Sequence, residues 1–336
     1  MKYSKLIDQK FREEILNYVN LKLPRIRKAK YDYSYYLNQF ILVLTKLANW
    51  SSLTYVTNDN NKTFHYKSIY NEYIRWTNAN IFAHVYELLL NKHYFKLKHL
   101  KKSKTFNLFV DTTFILNKHG CESIATHYEY KKKKATKVSI IADELGCVIG
   151  VHIPLNSNSH DVKLVTPTIN NIVLKFNKTA NIKLIGDKGY TSSDKFNINN
   201  KDVKIIIPVK KYKKKINKKI NKKINKKVNM TVNKNINKKV NMTVNKNINK
   251  KVNMTVNKNI NKKVNKKKVN KKKKVKKNTK FEHKLLRHRY IVEHSINEIK
   301  KAERLMLRKD KINSTFLSFI YLRLILILSN KTTKIF

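Results

Sequence analysis

Three carboxylates stand at positions from which they could serve one reaction. Asp111 ends the apolar run Phe106–Val110 in NLFVDTTFI, where strand alternation could aim it at the functional end of a sheet. Asp187 follows an apolar run in LIGDKGYTSSD, and Gly186 and Gly189 permit the tight turn that would present it. Glu293 lies in RHRYIVEHSINEIK. There Arg289, Glu293 and Lys300 fall at about 0°, 40° and 20° on a wheel of about 3.6 residues per turn, so they share one helix face. Cleavage and transfer of a phosphodiester need an activated nucleophilic oxygen and a stabilised leaving oxygen. Two divalent ions ~4 Å apart, held by three acidic ligands, supply both. Singly, each acid has a plainer explanation: a cap for Asp111, a generic turn for GDKGY, and for Glu293 a surface ion-pair ladder worth a few tenths of a kcal/mol. Ile291, Val292, Ile296, Ile299 and Leu305 favour packing of the Glu293 helix on a sheet.

The elements that must position these acids follow from periodicity. Residues 1–100 read as mostly helical, with apolar and aromatic residues three and four apart in Tyr35–Leu47 and Tyr66–Leu90 and a polar break at Asn58–Lys62. From Phe106 the period changes. NLFVD, SIATHYEY, KVSIIADE and CVIGVHIP are short β-rich runs, three or four strands, with Glu144-Leu145-Gly146 as a hairpin turn. A helix over Asp161–Phe176, the strand NIKLIG, a short helix near Ser193 and the strand VKIIIP ending at Pro208 come next. Phe281–Arg308 and Ser314–Ser329 are the two last helices. His160-Asp161 could lie near the site, but a helix start explains Asp161 equally well, and it stays outside the acidic triad. No GxxxxGK[ST] loop supports an ATP-driven mechanism, and His127, His152 and His160 lack zinc-site spacing.

Charge narrows the partners. A net charge of +54 on 336 residues points first to a polyanion, nucleic acid ahead of an anionic membrane. Residues 210–280 carry 30 Lys and no acid, and without them about +24 remains on the rest of the chain. In that block Ile or Val recurs every fourth residue from Ile216 to Val264, and VNMTVNKNINKK occurs three times in tandem over Val228–Lys263. A period of four drifts about 40° per step around a helix, so no lasting apolar face forms. The block is expected to be a disordered Lys/Asn-rich insert at 213–280, because its Ile and Val cannot offset chain entropy beside so much positive charge. Cys121 and Cys147 form no disulfide framework or zinc motif, which fits a reducing, intracellular compartment. Phe316–Leu328 is shorter than the ~20 residues of a membrane span and contains Arg323, so it reads as a buried terminal helix.

Taken together, these residues resemble the DDE transposases of bacterial insertion sequences and Harbinger-type elements, over roughly residues 64–210 and 281–330. FVDTTFI resembles the family's first Asp strand, GDKGYTSSD its second Asp turn, and RYIVEHSINEIKKAERLMLRKDK its acidic helix. The last matches a Tyr, Arg, Glu, Lys pattern through Arg289, Glu293 and Lys300, with Leu286 in place of the tyrosine. KVSIIADELGCVIGVHIPLNSNSHD resembles the middle strands, and YKSIYNEYIRWTNANIFAHVYELLL an N-terminal helical segment for DNA-end binding or packing. The resemblance implies an α/β fold: an RNase H-like mixed sheet flanked by helices, with a helical region at 1–100, core segments at 101–212 and 281–336, and the insert between them. It implies Asp111, Asp187 and Glu293 as catalytic ligands of two Mg²⁺ ions, with Mn²⁺ able to substitute. Arg289 and Lys300 would orient Glu293 or hold phosphates. It further implies cleavage at element ends, strand transfer into target DNA, and a homo-oligomer acting on paired DNA ends with no membrane involved. The expected location is with DNA inside a prokaryotic cell, or in the nucleus or viral factory of another host. A non-catalytic DNA-binding descendant of a transposase is the alternative.

Overall fold

The structure is a computed structural model that describes residues 7–24, 32–46, 49–55, 65–99, 105–127, 133–177, 180–191, 195–198, 200–208 and 278–333. Residues 1–208 and 280–336 form one compact unit. The insert expected at 213–280 lies outside the described residues up to position 277.

The N-terminal region is helical, as its periodicity requires. Helices α1 (Gln9–Lys22), α2 (Tyr33–Lys46), α3 (Tyr66–Asn78) and α4 (Ile81–His99) are joined in part by a 3-10 turn at Trp50–Tyr55. Phe11, Ile15 and Val19 in α1, and Leu37, Phe40, Ile41 and Leu44 in α2, are buried at helical spacing. Asn80, with φ at 52°, turns the chain between α3 and α4. Phe40, Trp50, Tyr73, Trp76 and Phe82 pack ring against ring, mostly edge to face, and Tyr73 stacks on Phe319 near the far end of the chain with centroids 4.5 Å apart. The Tyr73 hydroxyl donates to the Thr315 carbonyl at 2.6 Å.

The sheet-containing core follows. Strands β1 (Thr105–Asn117), β2 (Ala125–His127), β3 (Lys133–Ala142) and β4 (Val148–His152) lead into α5 (Asp161–Asn170) and β5 (Asn181–Ile185). A small hairpin, β6 (Phe196–Ile198) with β7 (Lys201–Val203), precedes β8 (Ile205–Ile206). In the main sheet β1 is central. It pairs antiparallel with β3 and parallel with β5, which in turn pairs parallel with β8. β4 and β2 both lie against β3. This is the mixed sheet flanked by helices expected of an RNase H-like core, and all four expected strands are present. Leucines, isoleucines and valines of β1, β3, β4 and β5 are buried on both sheet faces, which explains their near-continuous apolar runs. Between β3 and β4, Gly146 takes φ of +69° and Asp143 accepts the Leu145 and Cys147 amides at 3.0 and 2.7 Å.

Two boundaries differ from the sequence expectation, and one expected helix cannot be compared. Helix α5 stops at Asn170, short of Phe176, because the chain beyond it bonds to β4: Asn171 Nδ2 donates to Val151 O and Val173 N to Ile149 O, both at 2.9 Å. The short helix expected near Ser193 falls outside the described residues, and a single 3-10 turn forms at Lys188–Tyr190. Phe281–Arg308 is not one helix. It breaks into α6 (Lys280–Arg287), α7 (Tyr290–Lys300), the short α8 (Glu303–Met306) and strand β9 (Leu307–Arg308), which pairs with the end of β1. Buried charge explains the break. Arg304 pairs with Asp310 at 2.8 Å, both almost fully buried. Arg308 reaches Thr136 Oγ1 at 3.0 Å, Glu122 O at 3.1 Å and Asp310 O at 2.9 Å. A continuous helix would carry these guanidinium groups away from their partners.

The closing helix α9 (Asn313–Thr333) is long and apolar enough to cross a membrane, with mean hydropathy 1.2, but 61% of that window is buried within the protein. It packs on α4 and α7 as a core helix. Arg323 within it donates to the Glu298 carbonyl of α7 at 2.8 Å.

Candidate functional site

The parallel register of β1 and β5 brings the two aspartates together. Their last paired residues are Phe109 and Ile185, and Asp111 and Asp187 each lie two positions further on. Asp111 remains inside β1, which continues to Asn117, whereas β5 ends at Ile185 and Asp187 caps the 3-10 turn. The Asp187 Oδ1 accepts the Gly189 amide at 2.5 Å. A Cβ at Gly189 would lie 2.9 Å from that oxygen, and one at Gly186 would lie 3.0 Å from the Tyr190 ring, so both glycines of GDKGY are there for close approach.

Glu293 comes from the opposite direction of the chain. Helix α7 packs on β1 and β3, burying Val292, Ile296 and Ile299 and leaving Glu293 exposed at the rim. Arg289, the residue preceding α7, forks between the acids. Its Nη1 bonds Asp111 Oδ2 at 3.0 Å, and its Nη2 bonds Glu293 Oε1 in a short contact. The strand acid and the helix acid are thus held by one planar cation, itself 178 residues from Asp111 in sequence. Lys300 shares the helix face but does not reach Glu293. Its ammonium donates to the Phe114 carbonyl of β1 at 3.1 Å, and burial lowers its pKa. It pins α7 to the strand.

Electrostatics tie the third acid to the pair. The Asp111 carboxyl is raised above the ordinary carboxylate range, first by burial, with Asp187 and Glu293 adding repulsion. The Thr112 amide, donating to Asp111 Oδ1 at 2.9 Å, and Arg289 oppose that rise. A partly buried carboxylate whose ionisation two neighbouring acids oppose is suited to a multivalent cation, and all-oxygen donors suit a hard one such as Mg²⁺ or Mn²⁺. The residues therefore fit the ion in donor type and in charge. Among the described residues no three His, Cys, Asp or Glu side chains close around one point. With the Arg289 fork between them, Asp111 and Glu293 are bridged by a monocation, and a bound ion would have to compete with it.

On the other face of β1 lies a group the sequence reading left out. Thr112 Oγ1 donates to Asp161 Oδ1 at 2.9 Å, and Lys137 Nζ meets the same oxygen at 2.7 Å. Tyr190, buried beside them, has its phenol pushed up by burial and by Asp111, Asp161 and Asp187. The signal available in sequence was slight: a threonine after Asp111, and an aspartate opening a helix.

Comparison with known proteins gives a family. The model of a protein family described as the transposase DDE domain matches residues 107–328, a span that begins in β1, ends in α9 and contains all three acids. The chain belongs to that family of transposases, which act on DNA and usually use divalent metal ions. No curated protein and no solved structure matches the chain.

Proposed function

We propose that the chain is a DNA transposase that cleaves the ends of a mobile element and joins the freed 3′ ends to target DNA. Asp111, Asp187 and Glu293 are its catalytic carboxylates and hold two Mg²⁺ ions, with Mn²⁺ able to replace them. The observation that carries this reading is the Arg289 fork joining Asp111 to Glu293, with Asp187 just beyond the end of the strand that pairs with β1.

When bound, the ions supply Lewis-acid activation of the attacking oxygen and stabilisation of the leaving one. The chain's own residues do the rest. Asp111, within a central strand, fixes the reference point of the site. Asp187 is preset by the Gly189 amide. Glu293 stands on a helix anchored by Val292, Ile296 and the Lys300 contact with Phe114. Arg289, released from the acids, has a planar fork suited to a DNA phosphate. Lys300 orients α7 rather than touching Glu293. The helical region at 1–100 serves end binding or packing, segments 101–212 and 281–336 make up the catalytic core, and the Lys-rich block at 213–280 is a basic insert along the DNA path. The protein works as a homo-oligomer on paired ends, inside the cell and with DNA.

The test is strand cleavage of DNA carrying the inverted repeats that flank the gene, with Mg²⁺, by the wild type and by Asp187→Ala. Loss of cleavage in the variant supports the assignment. Equal cleavage by both removes it, and binding without cleavage by either favours a non-catalytic DNA-binding descendant.

A further inference from the structure

We propose that Asp161 is a positioning residue for Asp111, acting through Thr112 with Lys137 as its counter-charge. This rests on the reading of Asp111 as a metal ligand. Every link is a contact within hydrogen-bond distance. Lys137 Nζ lies 2.7 Å from Asp161 Oδ1, the Thr112 hydroxyl donates to that oxygen at 2.9 Å, and the Thr112 amide donates to Asp111 Oδ1 at 2.9 Å. Adjacent strand residues face opposite sides of a sheet, so Thr112 connects α5 on one face to the Asp111 carboxylate on the other.

The geometry favours this over a helix-start role alone. Asp161 is the first residue of α5, where a carboxylate is stabilised by the helix dipole, yet its Oδ1 is directed across to β1 and β3. Lys137 is only 6% exposed; it also donates to Ser159 O at 2.7 Å and lies 5.1 Å from the centre of the Phe114 ring. A buried ammonium in that place needs a carboxylate, and Asp161 provides it. Helix α5 is itself fastened to the sheet by Leu164 and Val165 and by the Thr168 hydroxyl, hydrogen-bonded to Ser139 Oγ at 2.7 Å; Ser139 is the β3 partner of Thr112. The second Asp161 oxygen faces the other aspartate: a Cβ at Gly189 would lie 3.8 Å from Asp161 Oδ2 and 2.9 Å from Asp187 Oδ1. Asp161 is thus placed to fix the Thr112 peptide, whose N–H sets which Asp111 oxygen is left for a cation. A ligand's hydrogen-bond partners commonly govern metal affinity in this way.

The experiment measures Mn²⁺ binding to the full chain without DNA, by electron paramagnetic resonance, beside the Mg²⁺ half-saturation, kcat and KM of DNA cleavage. Thr112→Val removes the hydroxyl while keeping the amide, and Thr112→Ser retains it. Thr112→Val is expected to weaken Mn²⁺ binding roughly tenfold, within the usual range for such partners. The Mg²⁺ half-saturation rises with it and KM for DNA stays unchanged. Thr112→Ser restores both, Asp161→Ala reproduces the loss, and Asp161→Ala with Thr112→Val loses no more than either alone. Wild-type Mn²⁺ affinity in Thr112→Val, failure of the serine to rescue, or multiplying losses in the double variant would overturn the proposal. If Asp161→Ala does not fold, the valine and serine pair decides. Wild-type protein that binds no Mn²⁺ would instead remove the metal-site reading on which the proposal stands.

Discussion

Replacing Arg289 by Ala should expose the charge problem that the acids share. The Asp111 carboxylate, 19% exposed, loses its cation at 3.0 Å, while Glu293, 48% exposed, loses a screened partner. A hydrogen bond to a charged, mostly buried group is worth about 1.5–3 kcal/mol and an exposed pair about 0–1 kcal/mol, which gives a loss of about 2–3 kcal/mol in the metal-free protein. For a folded unit of this size that lowers Tm by roughly 5–10 °C. Mg²⁺ should reverse more of the loss in the variant than it adds to the wild type, because in the wild type the ion competes with the guanidinium; stabilisation reaches about 2.7 kcal/mol at a hundred times Kd. Thermal unfolding with and without Mg²⁺ measures both quantities. An unchanged metal-free Tm, together with the same Mg²⁺ increment in both proteins, would refute the fork as the site's counter-charge.

Other perturbations read the fold around the site. Asp310→Asn removes the carboxylate opposite the buried Arg304 and should cost about 3–5 kcal/mol in denaturant unfolding, since breaking one side of a buried pair strands the other. Tyr94→Phe deletes the 2.7 Å hydrogen bond to the buried Asp143 carboxylate and should cost about 2 kcal/mol in the same assay. Burial raises the carboxyls of both Asp111 and Asp143, so each contributes stability that is fully present below its unfolded pKa and lost as pH rises through its folded pKa. The metal-free Tm should therefore fall as pH is raised through and above the ordinary carboxylate range. Asp143→Asn, whose Oδ1 can keep the Leu145 and Cys147 bonds while its Nδ2 donates to the Tyr94 hydroxyl, should flatten that fall; a steeper fall would contradict the assignment.

What could be read from sequence was what short-range periodicity and glycine encode. Alternating and continuous apolar runs located β1, β3, β4 and β5, Gly146 marked the tight turn, and the spacing of Arg289 and Glu293 placed them one helical turn apart, where the structure joins them. What escaped was set by distant partners. Helix periodicity runs unbroken through 281–308, yet Arg304 and Arg308 take buried positions beside Asp310 and Thr136 that only a broken helix allows. Lys300 lies on the predicted face, but the nearby strand carbonyl of Phe114 captures its ammonium. Asp161 looked like any acid at a helix start, because Lys137 and Thr112 approach it only once α5 crosses the sheet.

The most direct measurement is a change of metal preference at Asp187. Asp187→Cys exchanges a hard oxygen donor for a thiolate, which tolerates Mn²⁺ far better than Mg²⁺. DNA strand cleavage by this variant should be lost in Mg²⁺ and partly regained in Mn²⁺, while the wild type is active in both. Cleavage at the wild-type rate in Mg²⁺, or silence in both ions beside an active wild type, would contradict Asp187 as a metal ligand.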